Sequence, residues 1–255
     1  MEKIEHEIVT VYILWLRQIK RHFRSKSRLF MSVFQPILFL IAFGFGFKNM
    51  YAQAGQGNYI DFLVPGIVAM SVVFSAMFSG IEVISDKQFG FLKETLVAPI
   101  SRFSIILGRT LGGATVAMIQ GILVLLISLM IGFNLVSVFG LLPALLFMFL
   151  IALSFTAFGT SLATFFTDMH AFPVIINVIV MPMFFLSGAL FPLEGLPSGF
   201  AKVLNFNPLT YGVDGLRGSL IGTFHHTIGF DFLVLGVLVI CLLALGSWLF
   251  SRIEG

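Results

Sequence analysis

Charge is scarce in this sequence: only 11% of its 255 residues are Asp, Glu, Lys or Arg, while 58% are hydrophobic. The mean hydropathy is +1.03, and 31 residues are phenylalanine. Ordinary globular domains carry about 25% charged residues, and a soluble domain of this length has too little interior to hide so much apolar surface. The composition therefore excludes a water-soluble domain and predicts an integral membrane protein.

Cysteine and the common catalytic motifs are also missing. The single Cys241 lies in an apolar run, so no disulfide and no paired-cysteine metal site can form within one chain. The sequence contains no GxxxxGK(S/T) phosphate loop and no HExxH motif. We therefore expect no catalytic residue, no bound cofactor and no metal site on this chain.

Long apolar stretches are what the sequence has instead. A bilayer core about 30 Å thick requires roughly 20 apolar residues per helix. Six stretches meet that length, at residues 29–47, 60–83, 104–131, 139–167, 171–190 and 230–250. The predicted fold is an all-α integral membrane domain with six transmembrane helices over residues 29–255.

Basic residues are distributed unequally between the two sides that these spans define. Twelve of the 15 lie before the first span, in the stretch 85–109 or in the tail, and the other three are Lys48, Lys202 and Arg217. Because Lys and Arg are enriched in cytoplasmic loops, both termini are predicted to be cytoplasmic. The expected location is the cell (plasma) membrane, crossed several times.

The first 28 residues have the pattern of an amphipathic helix, with apolar side chains on one side and basic side chains on the other at about 100° per residue. The apolar set is Ile4, Ile8, Val11, Tyr12, Trp15, Ile19 and Phe23. We expect residues 1–28 to lie in the cytoplasmic membrane interface, with Trp15 at headgroup depth. Arg17, Arg21 and Arg24 are then expected to face lipid phosphates and water. Packing on another subunit is a compatible alternative.

Ionisable residues are nearly absent inside the predicted spans. Glu82 lies near the cytoplasmic end of the second span, and Asp61 and Asp231 lie near outer ends. Ion and proton carriers place ionisable groups within the membrane, so an ion-coupled carrier is disfavoured. The four-residue spacing of Gly108 and Gly112 predicts close approach of another helix to the third span.

One charged stretch, residues 85–102, separates the second and third spans with the sequence SDKQFGFLKETLVAPISR. Because this stretch must lie in water, we interpret it as a docking element. On a helix, Phe89, Leu92 and Leu96 share an apolar face that fits a groove on a partner. Pro99 is expected to end that helix.

Residues 191–229 connect the fifth and sixth spans and are too polar to cross the membrane. Asn207 followed by Pro208 indicates a helix N-cap with proline at the first helical position. In that helix Asp214 and Arg217 are three residues apart and are predicted to pair. We expect one or two short helices that re-enter the outer leaflet, as an exit gate or as a passive lid. The candidate gate residues are Pro192, Asn207, Pro208, Tyr211, Asp214 and Arg217.

A serine and two histidines offer an alternative function. Ser187 lies near the outer end of the fifth span, and His225 and His226 lie in the outer segment. A histidine that activates a serine hydroxyl is the basis of serine hydrolase chemistry, so an intramembrane serine protease is the second hypothesis. Both histidines fall in a loop rather than on a facing helix, which disfavours it.

Taken together, these features resemble the type 2 permeases of ATP-binding-cassette (ABC) exporters. The resemblance is carried by residues 90–102, 185–192 and 207–211 and extends over essentially the whole chain. It is closest to the drug-resistance and glycoconjugate-export branch, in which permease and ATPase are separate polypeptides. The chain departs from the family at Gly90-Phe91, where Gly-Thr is frequent.

The resemblance implies a coupling helix within residues 85–102 that inserts into a cleft of the ATPase subunit. It assigns this role to Phe89, Gly90, Leu92, Glu94, Leu96, Pro99 and Arg102. It also implies a working unit of two permeases and two ATPases, in which the ATPase partner binds ATP and Mg. No ATPase activity and no nucleic acid partner are expected for this chain, which is surrounded by membrane lipids.

The cargo is constrained only by class. A pathway with few fixed charges favours a hydrophobic or amphipathic substrate such as a drug, a lipid or a lipid-linked glycan. The abundance of phenylalanine does not indicate a sugar polymer, because phenylalanine also fills lipid-facing positions.

Overall fold

The computed structural model describes residues 2–24, 26–53, 58–97, 100–192, 199 and 204–252. All regular secondary structure in these residues is helical. Four helical stretches are long and apolar enough to cross a membrane, namely Tyr59–Gln88, Arg102–Ile131, Val138–Ala163 and Ile228–Ser251. Two shorter apolar helices cover Ser32–Gly46 and Ala171–Phe185. The described part of the chain is therefore all-helical, with several helices long and apolar enough to span a membrane.

Eleven α-helices can be delimited within the described residues. The first six are α1 (Glu2–Arg24), α2 (Lys26–Gly46), α3 (Lys48–Gln53), α4 (Tyr59–Phe78), α5 (Gly80–Gln88) and α6 (Phe91–Val97). The others are α7 (Arg102–Ile131), α8 (Leu141–Ala163), α9 (Ala171–Phe185), α10 (Pro208–Ile221) and α11 (Ile228–Ser251), with a 3₁₀ turn at Val138–Gly140. Helix α5 continues α4 as far as Gln88, so this apolar helix runs beyond the predicted end at residue 83.

Helix α4 forms the centre of the bundle. Its Leu63, Val64 and Ile67 are fully buried, and α2, α7, α8 and α10 pack around it. The last helix, α11, leaves Leu233 and Ile240 exposed at the periphery. In a membrane such side chains contact lipid tails, which are as apolar as the leucine itself.

Helix α9 ends earlier than the sequence suggests. The predicted span 171–190 was wrong at its end, because the helix stops at Phe185 and the backbone N–H of Leu186 donates to the carbonyl of Pro182 at 2.9 Å. Gly188 then adopts φ +73°, the left-handed region that glycine enters without a steric penalty. The chain therefore turns back inside the bundle, a change that an uninterrupted apolar run does not reveal.

Glycines on α7 bring α1 into direct backbone contact. A Cβ atom added to Gly112 would lie 2.5 Å from the Cβ of Gln18, and one added to Gly108 would lie 2.9 Å from the carbonyl oxygen of Val11. The close approach predicted from the glycine spacing is confirmed. Its partner is α1 of the same chain.

Helix α10 begins as predicted. The side-chain oxygen of Asn207 accepts a hydrogen bond from the N–H of Leu209 at 3.1 Å, and Pro208 occupies the first turn. Gly222, at φ +78°, ends the helix. Much of residues 193–203 lies outside the described part of the chain, as do Pro99 and the side chain of Leu96.

Candidate functional site

One buried carboxylate, near the end of α5, binds three arginine side chains. Asp86, on α5, is only 3% exposed. Its Oδ1 accepts hydrogen bonds from Arg17 at 2.8 Å and Arg21 at 3.2 Å, and its Oδ2 accepts one from Arg109 at 2.7 Å. The arginines come from α1 and α7, so this one carboxylate joins three helices.

The other end of the segment 85–102 is also attached to α1. The backbone N–H and the hydroxyl of Ser101 both donate to the carboxylate of Glu7, at 3.0 and 2.8 Å. Ser101 also caps α7 by accepting from the N–H of Ser104 at 3.1 Å. Helix α1 therefore holds both ends of the segment through charged or polar contacts.

Between these attachments the chain presents apolar side chains to its surroundings. Phe89 is 70% exposed, Phe91 51% and Val97 80%. Phe91 and Val97, with the exposed Glu94 between them, lie on one side of α6. We call Phe89, Phe91, Glu94 and Val97 the coupling surface.

The coupling surface differs from the face expected from the sequence. Leu92, expected beside Phe89 on that face, is 1% exposed and belongs to the bundle core. The reason is a turn: Gly90 adopts φ +82° and separates α5 from α6, so Phe89 and Leu92 do not share one helix. Phe91, which sequence reasoning did not select, lies exposed in place of Leu92. Arg102 is half-buried at the start of α7.

The residues expected to meet lipid headgroups make contacts within the chain. Trp15 donates from its indole nitrogen to the hydroxyl of Thr115 on α7 at 3.0 Å, and Arg17 and Arg21 bind Asp86. Arg24 remains exposed. The apolar residues Ile8, Val9, Tyr12, Ile13 and Phe23 are also exposed and remain free to contact lipid.

At the opposite end of the bundle, side chains bind the carbonyl groups left open where α9 ends. Asn207 donates to the carbonyls of Met183 and Leu186 at 2.6 and 3.0 Å, and Tyr59 donates to that of Leu190 at 2.9 Å. Arg217 donates to the carbonyl of Gly188 at 2.9 Å. Non-helical backbone is tolerated at membrane depth only when its polar groups are bound in this way.

Asp214 and Arg217, which the sequence suggested as a pair, attract each other electrostatically but form no direct ion pair in the described residues, because each side chain is bound elsewhere. Arg217 lies over the ring of Phe62, with 3.9 Å between its guanidinium carbon and the ring centroid. Asp214 accepts hydrogen bonds from the backbone N–H groups of His225 and His226 at 2.8 and 2.7 Å. Burial lowers the pKa of the Arg217 guanidinium to about 10, so it stays positively charged at neutral pH.

Only some of the candidate gate residues line a cavity. Pro192, Asp214 and Arg217 line one of about 310 Å³ at the end of the bundle opposite α6. Asn207 and Pro208 begin α10 beside it. Tyr211 is 8% exposed and donates to the carbonyl of Asn205 at 2.7 Å.

Ser187 and His225 line the same cavity, but they do not make the contact that the serine protease alternative requires. Ser187 is 1% exposed, and its hydroxyl donates to the carbonyl of Phe184 at 2.7 Å. Among the described residues no hydrogen bond joins Ser187 to His225 or His226. The hydroxyl is therefore not activated by a histidine as a serine nucleophile must be.

A second cavity of about 310 Å³ lies between α1, α2, α4, α5 and α7. Its polar lining includes Gln18, Gln35 and Gln120, and its apolar lining includes Met70 and Phe74. The mixed lining suits a molecule with both polar and apolar parts.

Comparison with known proteins gives the chain its family. Residues 9–221 match the model of the ABC-2 type transporter membrane family. The chain is 30% identical to the transport permease ycf38 of Cyanophora paradoxa over 213 residues, which cover 82% of this chain and 73% of that relative.

Two bacterial relatives are similar over comparable lengths. The chain is 29% identical to the inner membrane transport permease YadH of Escherichia coli K12, covering 84% of each protein. It is 26% identical to nodulation protein J of Rhizobium leguminosarum bv. viciae, covering 73% of this chain and 72% of the relative. The chain therefore belongs to the ABC-2 type transporter family as a membrane permease, a transport subunit rather than an ATPase.

Proposed function

We propose that this chain is the permease subunit of an ATP-driven exporter, with six transmembrane helices and both termini in the cytoplasm. The two shorter apolar helices, α2 and α9, supply the first and fifth spans. Two copies of the chain and two separate ATPase subunits form the working unit. The similarity to an inner membrane permease supports a location in the cell membrane.

One observation carries this proposal: an exposed apolar surface stands beside a buried ionic anchor. Phe89, Phe91 and Val97 are exposed in a segment whose neighbouring Asp86 is bound by three arginines. Exposed aromatic side chains on a rigid base are typical of the residues that dominate binding at protein interfaces. The coupling surface therefore has the form of a docking site for the ATPase subunit.

The anchor also provides a route for movement. Displacement of α6 would move α5, because the two helices are joined at Gly90. It would also move α1 and α7, because Asp86 on α5 binds Arg17 and Arg109. Coupling between distant sites requires such a chain of packed elements, with two arrangements that both sites bias. We propose that ATP binding to the partner displaces this assembly and opens the path between two permease copies.

The cargo is proposed to be hydrophobic or amphipathic: a drug, a lipid or a lipid-linked glycan. The support is the second cavity, of about 310 Å³, whose lining mixes phenylalanine and methionine with glutamine and serine and includes, in the part of the chain that the structure describes, only two ionisable side chains, His22 and Glu82. The cavity lies against α2 and α4, two of the proposed spans. A cargo that enters from the membrane would reach it with its apolar part first.

The test is copurification of an ABC ATPase subunit from the source organism, sought first among the genes that adjoin the gene for this chain. Phe89→Asp and Phe91→Asp place a charge in the coupling surface and are expected to lower ATPase recovery by about 30-fold, the equivalent of a 2 kcal/mol interface residue. Val136→Asp is the control, because Val136 is 71% exposed in the turn between α7 and α8, at the opposite end of the bundle and outside the stretches that could cross a membrane. Its ATPase recovery should equal that of the unmodified chain.

Two results would contradict the proposal. One is that the ATPase fails to copurify with the unmodified chain. The other is that all three aspartate variants retain it equally. Size-exclusion chromatography of each variant in detergent shows whether the permease itself has kept its fold.

A further inference from the structure

Three potential metal ligands converge where α10, its following loop and α11 meet. Asp214 lies on α10, His226 in the loop, and Asp231 in the first turn of α11. One ligand atom from each of the three lies within 4.8 Å of the others. The Nδ1 of His226 is 3.4 Å from Asp214 Oδ2 and 4.0 Å from Asp231 Oδ1.

Two members of this cluster, His226 and Asp231, have buried polar atoms with no hydrogen-bond partner. Asp231 is 0% exposed, and neither of its carboxylate oxygens has a hydrogen-bond partner. Nδ1 of His226 also has none. Burying an ionised carboxylate without a partner is very unfavourable, and repulsion from a second carboxylate beside it raises the free energy of the charged form further. A cation or a shared proton must therefore lie between these side chains.

Asp214 is held in the orientation that a metal ligand requires. Its two oxygens accept the backbone N–H groups of His225 and His226 at 2.8 and 2.7 Å. Each oxygen retains a lone pair for a further contact. Outer hydrogen bonds of this kind fix the carboxylates of metal sites before the ion binds.

We propose that Asp214, His226 and Asp231 form a binding site for a zinc-like divalent cation, with water in the fourth position. Zinc bonds of about 2.0–2.2 Å in a tetrahedron place ligand atoms about 3.3–3.6 Å apart. The separation between His226 and Asp214 already matches, that between His226 and Asp231 is about half an ångström too long, and all three ligand atoms lie within 4.8 Å of one another, so Asp231 must move inwards when the ion binds. An imidazole nitrogen favours zinc over magnesium or calcium, which prefer oxygen ligands alone.

The bound ion ties α10 to α11 at the end opposite the coupling surface. Because the three ligands are separated by 12 and 5 residues, no short metal motif appears in the sequence. The proposal does not depend on transport or on the ATPase. A failed copurification leaves it untouched, and failed metal binding leaves the coupling surface untouched.

The experiment uses the full chain, without a histidine tag, purified in detergent and stripped with a chelator. Zinc alone is titrated in competition with a chromophoric chelator. One zinc per chain is expected. His226→Gln and Asp231→Asn should each weaken binding by at least about 10–100-fold, the loss typical of removing even an outer contact in a metal site. His225→Gln is the matched control, because this exposed neighbour is outside the cluster, and it should bind as the unmodified chain does.

Cobalt used as the probe reports metal coordination directly, so its signal would not change if His226 only stabilised the fold. Its visible absorption should report a tetrahedral site in the unmodified chain and in His225→Gln, and should be lost in His226→Gln. Since His226 lies at the edge of the cluster, this variant tests the site even if Asp231→Asn fails to fold. Absence of zinc binding by the unmodified chain overturns the proposal in favour of a shared proton. Equal binding of magnesium, or equal loss in His225→Gln and His226→Gln, also overturns it.

Discussion

Asp86 is the residue on which the polar contacts between α1, α5 and α7 depend. A single carboxylate, 3% exposed, faces guanidinium groups from Arg17, Arg21 and Arg109. The ion pairs contribute differently to stability, because the side chain of Arg109 is 3% exposed whereas that of Arg17 is 38% exposed. Buried charge pairs are strongly destabilising when one partner is removed, and exposed ones contribute little.

Asp86→Asn is therefore expected to lower the free energy of unfolding by about 3–5 kcal/mol, since it leaves the buried Arg109 without its counter-charge. Arg109→Met should also destabilise more than Arg17→Met. The measurement is the midpoint of thermal unfolding in detergent. Asp168→Asn, at an exposed position in the turn before α9, is the matched control. Equal midpoints for the two Asp→Asn variants would show that Asp86 is not an anchor.

For helix α1, the sequence pattern predicts the helix but not the side of it that is buried. Its helical conformation is predicted by the spacing of Ile4, Ile8 and Trp15, and the structure confirms the helix. Its buried side is not predicted, because Leu14 is joined there by the polar Gln18 and His22. A hydrophobic pattern cannot select polar residues for burial. The spacing of Gly108 and Gly112 on α7 is the sequence feature that indicates where another helix packs.

Gly112→Ala tests the packing of α1 on α7. The added methyl group would meet Gln18 at 2.5 Å, so we expect a loss of about 1–3 kcal/mol in unfolding free energy, as for other overpacked sites. Gly236→Ala, on α11, has no atom within 4 Å of the added carbon. It should be neutral or stabilising by up to about 1 kcal/mol through helix propensity. Comparable unfolding midpoints in the two variants would rule out close packing at Gly112.

Across the whole molecule, the apolar runs were enough to locate the helices but not the places where they break. Gly90 and Gly188 both lie in the left-handed region, and each changes the site beside it. Gly90 brings Phe91 to the coupling surface and sends Leu92 into the core. Contacts between distant residues, such as Asp86 with Arg17 or Asp214 with the N–H of His226, carry no local pattern. Sequence reasoning therefore predicted the element positions better than the site.

The two proposed sites lie at opposite ends of the bundle, and the role of the coupling surface depends on which end faces the cytoplasm. The coupling surface and the turn between α8 and α9 lie at one end, joined by Gln88, which donates to the carbonyl of Thr167 at 2.5 Å. The turn between α10 and α11, with the histidines, lies at the other end. An ATPase can reach the coupling surface only if the first end is cytoplasmic.

Cysteine labelling decides this orientation. In a Cys241→Ala background, Thr167→Cys and Thr223→Cys place one thiol at each end, at two exposed positions. A membrane-impermeant maleimide applied to intact cells is predicted to label Thr223→Cys at once and Thr167→Cys only after the membrane is permeabilised. The reverse pattern, with Thr167→Cys labelled in intact cells and Thr223→Cys protected, would place the coupling surface outside the cell and contradict its role in binding an ATPase.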